Sequence, residues 1–123
     1  MEKMHNGCWK LYFIQLSPKN GGNIVYKIGI TEYKDVLHRF SNYINEFNFK
    51  VLCSLIFTSK QKAEAFESCF LTIYNNWPTN VELDKYRSLR GQGELRFLTN
   101  KEKMELLSFM FMLRNNSKSA IVL

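Results

Sequence analysis

Two apolar segments near the start of the chain, separated by turn-forming residues, have the pattern of a β-hairpin. Residues 8–16 (CWKLYFIQL) and 24–30 (IVYKIGI) are rich in β-branched and aromatic residues, which is typical of buried strands. Residues 17–23 between them contain proline, asparagine and glycine, which favour a turn. We therefore predict that the two segments pair as a hairpin with a loop longer than the tightest kind.

The segment after the hairpin changes from strand-like to helical spacing. Asp35 can cap a helix over residues 36–47, where apolar residues recur every three or four positions. A third strand fits residues 49–57, and a short fourth strand fits residues 93–98. Residues 78–92 are polar and irregular, and we expect no regular element there.

Two further helices are indicated by their starting residues. Thr58 and Gln61 have the spacing of a capping box, in which each side chain accepts a hydrogen bond from the backbone of the other residue. Thr99 and Glu102 have the same spacing. A helix is therefore predicted to begin after each threonine.

These elements follow the order ββαβαβα and predict an α/β (α+β) domain, with a central, mainly antiparallel sheet of three to four strands flanked by helices. We expect the last two helices to end near Asn76 and Leu113. A chain of 123 residues fits one domain, which we place at residues 1–113. Residues 114–123 would form a C-terminal tail, and the sequence leaves its order or disorder open.

Composition supports a folded, basic protein. The chain is 46% hydrophobic and 15% aromatic, which argues against disorder in its body. Lysine and arginine number 17 against 11 acidic residues, so the net charge of +6 favours a polyanionic partner such as nucleic acid. A basic protein without such a partner is the alternative.

Cysteine spacing and the N-terminal sequence indicate the compartment. Cys8, Cys53 and Cys69 are widely spaced and form no pattern typical of zinc sites, so buried free thiols in a reducing compartment are expected. The N-terminus lacks the apolar stretch of a signal peptide, and no apolar run is long enough to cross a bilayer. We predict a cytoplasmic protein that does not bind membranes.

Glu67 and Arg39 occupy unusual positions on their predicted helices. Glu67 lies on the shoulder of an apolar stripe, where a shielded carboxylate needs a cation, a metal ion or a hydrogen-bond donor to stay ionised. Arg39 lies between Val36 and Tyr43, at the edge of the first helix's apolar face. Arg39 could face a phosphate, or its stem could simply cover apolar surface. A structural salt bridge is the corresponding alternative for Glu67.

The hairpin strands carry two further polar candidates, Tyr12 and Lys27. A tyrosine in a strand is usually a packing residue, and Lys27 could lie on a solvated face of the sheet. Gly29 weakens a strand, which suggests a bend or the close approach of another group.

Together these residues resemble the GIY-YIG nuclease superfamily. LYF at 11–13, KIG at 27–29, Arg39 and Glu67 occur in the order of that family's motifs. YKIGIT at 26–31, the triplet Ala65-Phe66-Glu67 and GELRF at 93–97 are similar to the phage and virus subgroup named from an open reading frame of a T5 phage. The resemblance covers roughly residues 9–98.

The resemblance implies a metal-dependent endonuclease that hydrolyses phosphodiester bonds with low sequence specificity, with DNA favoured over RNA. Glu67 would hold one Mg²⁺ or Mn²⁺, and Arg39 would bind the scissile phosphate. Tyr12 matches the tyrosine of the first motif, and it or Lys27 would accept a proton from water. Lys27 replaces the tyrosine of the second motif, so it could instead be a second phosphate clamp. Glu94 could orient a cation or merely end the sheet.

Three departures from the family pattern bear on the resemblance. Lys27 alters the second motif, LYF lacks the glycine of the first motif, and Leu71 stands where the subgroup often has a histidine. Because the second motif is altered, a nucleic-acid-binding or interaction module of viral origin, with little or no catalysis on the same fold, is the alternative. A protein partner could supply specificity, and a monomer or weak homodimer is expected. The candidate nucleic-acid-binding residues are Lys10, Lys34, His38, Arg87 and Arg90.

Overall fold

Four antiparallel strands form a sheet that has helices on both of its faces. The computed structural model describes residues 2–4, 7–79, 83–89 and 92–116. Within them the strands lie in the order β3-β1-β2-β4. Their bounds are Trp9–Pro18 for β1, Val25–Thr31 for β2, Phe47–Phe57 for β3 and Leu95–Arg96 for β4. The predicted α+β domain with a small antiparallel sheet is confirmed.

The first two strands form the predicted hairpin. Their register places Tyr12 opposite Gly29 and Leu16 opposite Val25. In the turn, Gly21 and Gly22 have φ values of 97° and 150°, which residues with a Cβ rarely adopt. The glycines allow the turn, and the alternating strand pattern fits the observed register. The register determines which side chains share a face of the sheet.

The helix predicted over residues 36–47 is shorter and of a different type. Asp35 caps it as expected, because its carboxylate accepts a hydrogen bond of 3.0 Å from the backbone N–H of Leu37. The element is a 3₁₀ helix, η1, over Val36–Tyr43, with a kink at Phe40. Phe47, which the helical spacing had included, begins β3 two residues before the predicted start of that strand. Pairing with β1 therefore prevails over the helical pattern at this point.

The central helix α1 spans Lys60–Ile73. The predicted capping box at Thr58 is wrong, because the N-cap is Ser59, whose hydroxyl accepts a hydrogen bond of 3.2 Å from the backbone N–H of Lys62. The two residues carry equivalent hydroxyls, so sequence spacing alone could not separate them. The helix also ends before the predicted Asn76.

The capping box at the start of the last helix is confirmed. The backbone N–H of Thr99 donates to the Glu102 carboxylate at 2.9 Å, and the N–H of Glu102 donates to the Thr99 hydroxyl at 3.1 Å. This helix, α2, spans Asn100–Asn116 and so continues beyond the predicted end at Leu113. Its last turn is tied to the sheet, because Arg114 donates a hydrogen bond of 2.9 Å to the carbonyl of Ser54. The rest of the predicted tail lies outside the described residues.

Strand β4 is much shorter than the predicted strand over residues 93–98. Residues Gln92–Glu94 form a 3₁₀ turn, η2, and only Leu95 and Arg96 pair with β2. Phe97 leaves the sheet, and its N–H donates to the carbonyl of Asn76 at 2.8 Å. The early end of pairing leaves Glu94 at the edge of the sheet.

The two faces of the sheet carry separate apolar clusters. Helices α1 and α2 cover one face, which we call the helix side, through Ala63, Phe70, Leu106 and Met110. Helix η1 and residues 83–89 cover the opposite face, which we call the η1 side; its buried residues include Tyr12, Ile14, Val25, Val36, Phe40 and Tyr86. No helix in the described ranges is long and apolar enough to cross a bilayer.

Candidate functional site

Tyr12 packs directly on Gly29, its partner across the hairpin. A Cβ atom at position 29 would lie 2.5 Å from Cζ of Tyr12 and closer still to its hydroxyl. The predicted close approach at Gly29 is therefore confirmed, and any side chain there would displace the tyrosine ring. The edge of the Tyr12 ring also packs against Phe40 of η1, with 5.8 Å between ring centroids. Tyr12 is completely buried by these contacts.

The Tyr12 hydroxyl is buried without a hydrogen-bond partner in the part of the chain that the structure describes. Burial raises the pKa of this phenol well above its ordinary value, and the nearby carboxylate of Glu94 acts in the same direction. Arg39 opposes both effects. The phenol therefore keeps its proton at neutral pH and has a free O–H to donate.

Lys27 is buried rather than placed on a solvated face of the sheet. Its side chain is 1% exposed, and Nζ donates to Oε1 of Glu94 at 2.6 Å, forming an ion pair. Alternation along the strand puts Lys27 on the same face as Gly29, and its Nζ lies 5.8 Å from the Tyr12 ring centroid. Burial lowers the pKa of Lys27, whereas the Glu94 carboxylate raises it.

Glu67 lies on α1 between the buried residues Ala63 and Phe70 and is partly buried, as the sequence predicted. Its carboxylate forms no hydrogen bond or ion pair with any residue in the described ranges. Burial, followed by the negative charge of Glu94, raises the pKa of Glu67 to about 7. The positive charges of Lys27 and Arg39 act in the opposite direction. Glu67 is thus a shielded carboxylate that lacks a direct counter-charge.

Arg39 is exposed on η1, one residue before the buried Phe40. With Phe40, Asn42 and Tyr43 it lines a surface depression of about 300 Å³. Its positive charge lowers the pKa values of Tyr12, Lys27 and Glu67, so it lies within electrostatic range of all three. The four residues proposed from sequence as catalytic are therefore within electrostatic range of one another.

We call this group, together with Glu94, the Lys27 cluster. Its members are Tyr12 from β1, Lys27 from β2, Arg39 from η1, Glu67 from α1 and Glu94 from the turn before β4. The cluster holds two cations, two carboxylates and one phenol, and only one pair among them, Lys27 and Glu94, forms an ion pair in the described structure. The exposed guanidinium and the unpaired carboxylate remain available to a charged ligand.

A divalent cation fits this arrangement through a small number of protein ligands. The described residues contain no group of three or more His, Cys, Asp or Glu side chains that could hold a metal ion. The raised pKa of Glu67 means that a cation bound to its carboxylate would relieve an unfavourable burial of charge. Mg²⁺ commonly takes one or two carboxylates and keeps several waters, so Glu67 meets that requirement.

Three of the candidate nucleic-acid-binding residues lie close together. Lys10 precedes Tyr12 by two residues and so shares its face of the sheet, and its Nζ donates to the carbonyl oxygen of Lys34. Lys34 is ion-paired with Glu2 at 2.9 Å, which reduces its availability to phosphate. His38 precedes Arg39 on η1 and contacts Tyr33 edge to face, with ring centroids 6.0 Å apart.

The other two candidates do not join this group. Arg87 donates to the Asp84 carboxylate at 2.7 Å, and both side chains are largely exposed. Their segment packs on the turn end of the hairpin, because the hydroxyl of Tyr86 donates to the carbonyl of Asn23 at 3.0 Å. No contact in the described structure links Arg87 to the Lys27 cluster. Arg90 lies outside the described residues.

Arg96 is a buried cation that the sequence did not single out. It is 5% exposed, and its guanidinium donates to four backbone carbonyls, which we call the Arg96 clamp. The acceptors are Tyr74 at 2.8 Å, Gly93 at 2.7 Å, Leu95 at 2.9 Å and Leu71 at 3.4 Å. The clamp joins the end of α1 to the turn that carries Glu94. Only the motif GELRF, which contains Arg96, pointed toward this element.

A scan against protein-family models finds no family that matches this chain, and comparisons with curated proteins and with solved structures find no match either. The geometry of the Lys27 cluster is therefore the basis for a functional hypothesis.

Proposed function

We propose that this chain is a metal-dependent nuclease that hydrolyses phosphodiester bonds at the Lys27 cluster. The observation that carries the proposal is that the exposed guanidinium of Arg39 lies within electrostatic range of the partly buried, unpaired carboxylate of Glu67. A phosphodiester needs cations for its non-bridging oxygens, and the metal ion needs an anionic oxygen ligand. Arg39 and Glu67 supply these two functions within one cluster.

Four of the five members of the cluster have a role in the proposed reaction. Arg39 binds a non-bridging phosphate oxygen through its planar fork of N–H donors. Glu67 holds Mg²⁺ or Mn²⁺, which, when bound, supplies Lewis-acid stabilisation of charge on the phosphate. Lys27 is the preferred candidate base, because burial lowers its pKa and raises that of Tyr12. The O–H of Tyr12 is unpartnered but completely buried, so it can donate to the phosphate only after the site opens.

The favoured substrate is DNA, cut with little sequence preference. The net charge of +6 suits a polyanion, and the cluster offers groups that contact phosphate rather than base edges. Contacts to phosphate position a nucleic acid, whereas contacts to base edges specify its sequence. A partner protein would be needed for site-specific cutting, and cleavage at one defined sequence by the isolated chain would contradict this part of the proposal.

The second candidate function is a nucleic-acid-binding module without catalysis. It is favoured by the 2.6 Å ion pair between Lys27 and Glu94, which stabilises the protonated amine. Burial keeps the Tyr12 phenol protonated, and the Glu94 carboxylate opposes the loss of the Lys27 proton. In this case Arg39 and Lys10 would bind phosphate and no bond would be cut.

Cleavage assays separate the two candidates. The purified protein is incubated with single- and double-stranded DNA and RNA in Mg²⁺, Mn²⁺ or EDTA. We expect cutting with metal only, and a loss of at least about a hundredfold in rate for Glu67→Ala and for Arg39→Ala. Arg87→Ala, which removes an exposed arginine paired with Asp84 and without a described contact to the cluster, is the matched control and should retain activity within about twofold.

Two other outcomes would change the conclusion. If no metal supports cutting while wild type binds nucleic acid in a salt-sensitive manner and Arg39→Ala binds weakly, the binding module replaces the nuclease. If cutting persists in folded Glu67→Ala and Arg39→Ala, the activity does not arise from the Lys27 cluster. Circular dichroism on each variant establishes that it is folded.

A further inference from the structure

Trp77 lies beside the turn that carries Glu94 and exposes half of its large apolar surface. It follows the end of α1 by four residues and is 50% exposed. Its ring edge borders Gly93, where a Cβ atom would lie 3.9 Å from Cη2 of the indole. Gly93 immediately precedes Glu94, the partner of Lys27. The indole is therefore placed next to the turn that completes the cluster.

One side of the indole is supported by a rigid group. The guanidinium carbon of Arg96 lies 4.1 Å from the ring centroid, and the Arg96 clamp holds that guanidinium in place. Contact with Arg96 covers one face of the ring, and half of the side chain's surface stays exposed. An aromatic ring held by a fixed cation loses little conformational freedom when a second planar group stacks on it.

We infer that Trp77 is a stacking platform for an unpaired base of the nucleic acid bound at the Lys27 cluster. This inference rests on the proposed function and names its substrate class, namely single strands or duplexes that contain an unpaired nucleotide. The faces of paired bases are already occupied by stacking within a duplex, so only an unpaired base can lie on the indole. Stacking on an aromatic side chain tolerates any base, which agrees with the low sequence preference proposed above.

Fluorescence of single-tryptophan proteins tests the contact directly, because the chain has two tryptophans. Trp9→Phe leaves Trp77 as the reporter, and Trp77→Phe leaves Trp9, which lies against Lys60 at the start of α1. Each protein is titrated in EDTA with a short oligo(dT), with an abasic oligonucleotide of equal length and with a blunt duplex. We expect oligo(dT) to quench Trp77 and not Trp9, and the other two probes to quench neither.

Affinity measurements with the same probes add a second readout. Replacing the indole by an apolar side chain, Trp77→Leu, should weaken oligo(dT) binding about tenfold and leave the affinity for the abasic strand unchanged. Trp77→Phe should fall between wild type and Trp77→Leu, because a smaller aromatic ring still stacks. Equal quenching of Trp77 by abasic and base-containing strands, no quenching at all, or wild-type affinity of Trp77→Leu for oligo(dT) would overturn the inference.

Cleavage kinetics distinguish failure of this inference from failure of the proposed function. On substrates with an unpaired base, Trp77→Leu should raise KM about tenfold and change kcat by less than about twofold. If wild type cuts and Trp77→Leu cuts with the same KM, the stacking platform is wrong and the nuclease stands. If nothing is cut but oligo(dT) still quenches Trp77, base stacking is supported and the nuclease is rejected.

Discussion

Lys27 and Arg96 are buried cations on neighbouring strands, and their positive charges are stabilised in different ways. The residues are offset by one position in the register, since Lys27 pairs with Leu95 and Arg96 with Tyr26. Lys27 lies on the η1 side of the sheet against the carboxylate of Glu94. Arg96 reaches the end of α1 on the helix side, and each of its described hydrogen bonds goes to a backbone carbonyl.

This difference separates a cation that stabilises the fold from a cation that can gain or lose its proton. The guanidinium is always charged, and carbonyls at the C-terminal end of a helix carry partial negative charge, so Arg96 can be held without a carboxylate. An amine on a flexible stem changes its protonation when its surroundings change, and Lys27 lies among groups that shift its pKa. We therefore expect Arg96 to govern stability and Lys27 to couple stability to pH.

The largest effect is expected from removing the Arg96 clamp. Arg96→Met keeps an apolar stem but leaves buried carbonyls without donors, which should lower the free energy of unfolding by about 5 kcal/mol. Chemical denaturation measures this change. Arg87→Met is the matched control, because Arg87 is exposed and its described ion pair is with the exposed Asp84, and it should cost less than about 0.5 kcal/mol. A cost below about 1 kcal/mol for Arg96→Met would contradict a structural role.

A smaller, pH-dependent effect is expected from removing the partner of Lys27. Glu94→Ala leaves a buried ammonium unpaired and should cost about 3 kcal/mol at pH 7. Burial already lowers the pKa of folded Lys27, and loss of Glu94 lowers it further, so the folded state releases its proton at a lower pH than the unfolded chain. The stability of the variant should therefore rise with pH toward the ordinary pKa of lysine.

Denaturation between pH 7 and pH 10 tests that dependence. The cost of Glu94→Ala should shrink over this range, whereas the cost of Arg96→Met should stay constant because the guanidinium does not titrate. Glu94→Gln keeps an acceptor oxygen for the amine and should cost less than Glu94→Ala at pH 7. If the cost of Glu94→Ala is the same at both pH values, the pKa of Lys27 does not change on folding. Lys27 and Arg96 would then not differ in how they couple stability to pH.

The smallest effect is expected at Glu67 and has the opposite sign. Because the folded pKa of Glu67 is raised to about 7, its ionisation opposes folding above that pH and has no effect below the ordinary pKa of a glutamate. Glu67→Gln should therefore stabilise the protein at pH 8 by about 1–2 kcal/mol, allowing for solvent screening, and by nearly nothing at pH 4. Thermal unfolding at the two pH values, in EDTA, measures the difference; a destabilised variant at pH 8 would refute it.

Local features of this fold were predictable from the sequence. The hairpin, the cap at Asp35 and the capping box of Thr99 and Glu102 each depend on residues close together in the chain. The position of Glu67 on the shoulder of α1 followed from helical spacing in the same way. Errors arose where neighbouring residues offered equivalent groups, as Thr58 and Ser59 do, or where pairing with a distant strand determined the structure at Phe47.

The chemistry of the site depended on contacts that sequence spacing does not reveal. Lys27 and Glu94 are 67 residues apart, so the burial of the lysine and its ion pair could not be inferred from either segment alone. Arg96 was equally hidden, because its acceptors are backbone carbonyls that leave no pattern of side chains. The family resemblance led to the residues of the cluster, while the structure supplied their protonation and partners.

The contact between Tyr12 and Gly29 makes the residue types at two positions, 17 residues apart in the chain, depend on each other. A side chain at position 29 can be accommodated only if the residue at position 12 becomes smaller or turns away. In related sequences, the two positions should therefore vary together, and a bulky residue at 29 should appear only where the tyrosine is absent. Such covariation would trace this site across chains whose remaining residues have diverged beyond recognition.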